Sequence, residues 1–63
     1  MATAHDGIVS ISGLDNGEVV MFYAADGKLL GSSSAVGGVA SCAVSENMVI
    51  AKIGMNTIKV SMK

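Results

Sequence analysis

With 63 residues the chain has room for one domain, and a domain of that size buries only about 60% of the surface its unfolded chain exposes. The formal net charge is −1 and there is no arginine, which argues against the basic field that non-specific nucleic-acid binding needs. Aromatic residues are 3% of the chain (Phe22 and Tyr23), so platforms for stacking bases or sugar rings are scarce.

Residues 1–6 read as a polar linker or an added start, with residues 7–63 as the domain. The segment has neither the basic n-region nor the long apolar h-region of a signal peptide. Residues 8–12 are β-branched and partly alternating, which predicts a strand. Residues 13–17 form a turn cluster, and Asn16-Gly17 within it is a hairpin signal. Residues 18–23 predict the next strand, with Val20 and Phe22 on one face and Met21 and Tyr23 on the other. Asp26-Gly27 suits a tight turn, after which residues 28–30 begin a return strand. Residues 31–38 are small and flexible in composition and carry the least pattern.

Residues 39–44 alternate and predict a strand, followed by a turn at residues 45–47. Residues 48–53 predict another strand, and residues 54–56 a tight connection. Residues 57–63 close the pattern. There Ile58, Val60 and Met62 share one face, while Thr57, Lys59, Ser61 and Lys63 share the other, as in a half-buried strand. Short strands with turns at regular spacing point to an all-β sandwich or small barrel. The longest apolar run, residues 19–25, is strand-length and far short of the ~18 residues that span a bilayer.

Candidate chemistry is sparse. Cys42 stands alone, so no internal disulfide forms, and its alternation with Ala40 and Val44 reads as a small buried hydrophobe. His5 has no Cys or His neighbour at metal-ligand spacing. The serines at 32–34 lack a nucleophile elbow and a nearby histidine. Gly37-Gly38 is followed by neither Lys-Ser/Thr nor a helix, unlike a phosphate loop. No set of residues assembles a nucleophile, a base and an oxyanion site, so the expectation is a non-enzymatic module without a cofactor.

Three segments resemble a known family. Val20-Met21-Phe22-Tyr23-Ala24-Ala25-Asp26-Gly27-Lys28-Leu29-Leu30 follows a pattern of strand, tyrosine, glycine turn and return strand. Asn47-Met48-Val49-Ile50-Ala51-Lys52-Ile53 follows a G-x-Y-Ω-Ω-K-Ω strand, where Ω is apolar. Lys59-Val60-Ser61-Met62-Lys63 follows a terminal K-Ω-x-Ω-K strand. In this order they resemble the C-terminal sorting domain of the Por (type IX) secretion system, over roughly residues 8 to 63. Asn47 stands for the family's glycine, Val49 for its tyrosine, and Ser61 interrupts the closing apolar run.

The resemblance implies a small immunoglobulin-like antiparallel β-sandwich of about six to seven short strands. It also implies a targeting role at the end of a longer exported precursor, passing through the periplasm to the cell surface or medium. The partners would be an upstream cargo domain and a secretion-apparatus protein at the outer membrane. The recognised strand would be Lys59, Val60, Ser61, Met62 and Lys63, with Asn47, Lys52 and Gly27 as further contacts. The competing expectation for Lys52, Lys59 and Lys63 is that they guard an edge strand against aggregation. A structural accessory sandwich beside an enzyme or surface protein, with or without a polysaccharide, is the alternative function. Open edges and five methionines also allow a weak homodimer.

Overall fold

The computed structural model describes residues 1–62. The described residues are all-β, with seven strands: β1 (Ala2–His5), β2 (Ile8–Ile11), β3 (Val19–Ala24), β4 (Leu29–Ser34), β5 (Ala40–Ala43), β6 (Met48–Ile53) and β7 (Asn56–Ser61). They form a three-stranded sheet, β1-β2-β5, and a four-stranded sheet, β4-β3-β6-β7, and every pairing is antiparallel. This is the immunoglobulin-like order with one change: the fourth strand lies beside the third rather than beside the fifth.

Alternation explains the core. β2 turns Val9 and Ile11 inward, β3 turns Val20, Phe22 and Ala24, and β6 turns Val49, Ala51 and Ile53. Val60 of β7, Ala40 of β5 and Ala35 complete the cluster. Val60 apart, the branched and aromatic residues come from the sheet centres, β2, β3 and β6, where both neighbours hide the backbone. The outer strands otherwise contribute smaller or half-buried groups, among them Ala2, Ala4, Leu30 and Ile58.

Three of the tight turns have distinct chemistry. Asp6 and Gly7 both take positive φ, 53° and 74°, and join His5 to Ile8 as a two-residue type I′ loop. Gly54, at φ 59°, occupies the first central position of the two-residue β6–β7 loop, as a type II′ turn requires. Gly27, at φ 93°, is the third residue of the β3–β4 connection, and its N–H donates to the Ala24 carbonyl.

The structure corrects four sequence expectations. Residues 1–6 are not a linker, because Ala2–His5 pairs along its whole length with β2. Small inward residues, Ala2 and Ala4, hid that strand from an apolar pattern. Asn16-Gly17 does not close a hairpin. β2 and β3 belong to different sheets, and only Gly17 of the pair has positive φ, at 85°. The first half of the patternless stretch, residues 31–34, belongs to β4. Cys42 is half-buried rather than buried, since β5 is the outer strand of the smaller sheet.

Candidate recognition edge

β7 pairs with β6 over six consecutive positions, from Ile53 opposite Asn56 to Met48 opposite Ser61, without a bulge. The two-residue loop makes Ile53 and Asn56 a hydrogen-bonded pair, and such pairs then recur at every second position. The bond at the far end keeps the phase, with the Met62 N–H donating to the Asn47 carbonyl at 2.9 Å. Asn56, Ile58, Val60 and Met62 therefore turn their backbone groups toward β6. Thr57, Lys59 and Ser61 turn theirs away, to a side where no strand pairs with β7 among the described residues.

Side chains follow the same alternation. Ile58 and Val60 point into the sandwich, whereas Thr57, Lys59 and Ser61 are exposed on its outer face. Opposite them on β6, Lys52 faces Thr57 and Ile50 faces Lys59. Lys52 and Lys59 are thus diagonal neighbours on one face. The same rungs continue across the sheet, with Met21 opposite Lys52 and Tyr23 opposite Ile50. The outer face is an apolar band of Leu29, Tyr23, Ile50 and Met21 that ends in Lys52 of β6 and Lys59 of β7.

The remaining expected contacts divide by position. Asn47 lies at the Met62 end of β7, where its backbone closes the ladder. Gly27 lies in the β3–β4 turn at that same end of the sandwich, since Ala24 pairs with Val49 and Val49 with Val60. There the Lys28 N–H donates to Asp26 Oδ1 at 3.0 Å, and Gly27 serves the turn's backbone. Lys63 lies outside the described residues. Lys59, Val60, Ser61 and Met62 run consecutively along the edge, and Lys52 joins Lys59 across one ladder.

Other candidates are scattered. His5 Nε2 and Asp6 Oδ2 are 3.2 Å apart, but both side chains stand in solvent, where an ion pair contributes little. Among the described residues no three His, Cys, Asp or Glu side chains gather at metal-binding range, and no cleft opens between them. Among the described residues no helix is long and apolar enough to cross a membrane.

One feature escaped the sequence reading. Asn16 Oδ1 accepts the Gly37 N–H at 2.8 Å and the Gly38 N–H at 3.4 Å, and the Leu14 N–H donates to the Gly38 carbonyl at 3.0 Å. The β2–β3 and β4–β5 connections are laced together at the end opposite Asn47. The partners are 21 and 22 positions apart, so no local pattern announces the bond. No protein-family model matches this chain, and no curated protein or solved structure matches it either.

Proposed function

We propose that the chain is a non-catalytic targeting module, read along β7 by a protein of an outer-membrane export apparatus. In this reading it travels as the C-terminal part of a larger precursor, through the periplasm to the cell surface or medium. One observation carries the proposal. The first two segments that resemble the Por sorting domain fall on β3, β4 and β6 of a single sheet, and Lys59 to Ser61 of the third lie on β7, the edge of that sheet beside which no further strand pairs among the described residues. An extended edge with outward amides is a recognition surface in its own right, because a partner strand gains main-chain hydrogen bonds there. The test is removal of residues 59–63 from a full-length precursor. Loss of surface delivery, with the cargo held in the periplasm, is expected. Undiminished delivery would overturn the proposal.

The outer apolar band favours a second reading, an accessory sandwich that docks by its face onto a neighbouring domain. Tyr23 and Ile50 are half-buried and Leu29 is exposed on that face, so a partner would cover apolar surface. This reading expects delivery to ignore the tail. It also expects Tyr23→Ser to weaken the association, measured by pull-down against the upstream domain or a polysaccharide.

A further inference from the structure

We infer that the β7 edge accepts one kind of partner, an extended segment in which acidic and apolar residues alternate, added as a fifth strand to the β4-β3-β6-β7 sheet. The inference deepens the targeting proposal by stating the chemistry of the recognised partner, and it rests on that reading for its biological role. Three observations carry it.

The first is the backbone. Thr57, Lys59 and Ser61 present outward N–H and C=O groups at every second position, on a strand with no bulge in its six-position register. A regular, unbulged edge of this length is the template that strand addition uses.

The second is the charge. All five acidic residues, Asp6, Asp15, Glu18, Asp26 and Glu46, lie in turns and loops. The charged side chains on the strands of the larger sheet are Lys52 and Lys59, both on its outer face beside the open edge. An added strand sets its outward side chains directly opposite Thr57, Lys59 and Ser61. Opposite charges across such a pair attract and like charges repel. The partner's outward residue opposite Lys59 is therefore acidic, and acidic residues two positions to either side reach Lys59 on the diagonal.

The third is the seam beneath. β1 runs across the opening of the sandwich from β7 and turns only Ala2 and Ala4 inward, both half-buried. Ile58 and Met62 are half-buried on the β7 side of the same opening. The inward side chains of an added strand would cover these four residues, which calls for apolar groups at alternate positions.

A second copy of the chain fits less well. Two β7 strands paired antiparallel about a dyad set Lys59 opposite its own counterpart, or place the two lysines on the diagonal when the register slips by two. Either arrangement brings like charges together on one face.

The experiment uses two seven-residue peptides, one alternating valine with glutamate and the other valine with lysine, titrated at low salt into the isotopically labelled chain. The glutamate peptide should bind about tenfold tighter, with amide shifts centred on Thr57, Lys59 and Ser61 and an affinity that falls as salt rises. Lys59→Glu should reverse the preference. Ser61→Pro removes one outward donor while sparing the β6 ladder, and should weaken the glutamate peptide about fivefold. Equal binding of the two peptides overturns the inference. So do shifts confined to β3 and β4 together with an unaffected Ser61→Pro variant, which would mean face docking. Secretion is read separately: a delivery defect on tail removal without peptide binding keeps the address and overturns strand addition.

Discussion

β4 and β7 are the two edges of one sheet, and they are built differently. β4 slips register against β3 between Phe22 and Tyr23, where Gly31 faces Phe22 and Leu29 faces Tyr23. Its last four residues are Gly31-Ser32-Ser33-Ser34, and it packs across the sandwich opening toward β5. A Cβ placed on Gly31 would come within 3.0 Å of Cys42 Sγ, so the two sheets meet closely there. β7 has no bulge, pairs at six successive positions and faces only alanines across its own opening. Bulges, twist and close cover are how proteins silence a sheet edge, and β4 has two of these. β7 has one protective device, Lys59, which repels a like edge while leaving the backbone groups open. The difference teaches that an edge can be closed to copies of itself and still be available to a partner of opposite charge.

The largest expected effect removes the support both edges share. Phe22 is fully buried on the central strand β3, and Phe22→Ala should cost about 3–5 kcal/mol. A domain this small holds on the order of 3–5 kcal/mol in total, so circular dichroism should find the variant largely unfolded at 25 °C. Next comes the anchor of the connection that follows β4. Gly38 has φ 83°, and a Cβ there would sit 3.1 Å from the Leu14 carbonyl oxygen. Gly38→Ala should cost about 1–3 kcal/mol in urea denaturation, with peptide binding at β7 unchanged among the molecules that remain folded.

Gly31→Ala tests the closeness of β4 to β5. It should cost about 1–2 kcal/mol alone, and the cost should shrink in a Cys42→Ala background, where the crowding sulfur is gone. Denaturation of all four proteins in the cycle measures the coupling. An uncoupled pair would mean that the β4 side is not closed in the way described. The smallest effect on stability belongs to Lys59→Ala, expected to change it by less than about 0.5 kcal/mol. Its effect should appear instead in sedimentation at rising concentration, as self-association once the guarding charge is lost.

The same contrast explains how much the sequence disclosed. β7 was legible because apolar residues recur at period two, at Ile58, Val60 and Met62, and β6 because residues 48–53 make an apolar run of strand length. On β7 burial follows that alternation, with Val60 buried, Ile58 half-buried and Thr57, Lys59 and Ser61 exposed, whereas the inward facing of Val49, Ala51 and Ile53 on β6 comes from the structure. β1 was not, because its inward positions hold alanine, and only the start of β4 was, because past Leu30 its half-buried positions hold glycine and serine, which make no apolar pattern. Asp6-Gly7 offered the same turn dipeptide as Asp26-Gly27, yet it lacked apolar strands on both sides to give it meaning. Asn16-Gly17 misled because sheet membership depends on a non-local choice, the pairing of β2 with β5. The candidate edge was legible in part. Alternation identified the exposed face of Lys59 and Ser61, whereas the open side of β7 and its diagonal neighbour Lys52 depend on strand order.

Hydrogen exchange along β7 tests the open edge most directly. The amides of Ile58, Val60 and Met62 should be protected by β6, while those of Thr57, Lys59 and Ser61 should exchange as solvent-exposed groups, giving a strict two-residue alternation. Even protection along the whole strand would contradict it, because it would mean that the edge is already covered.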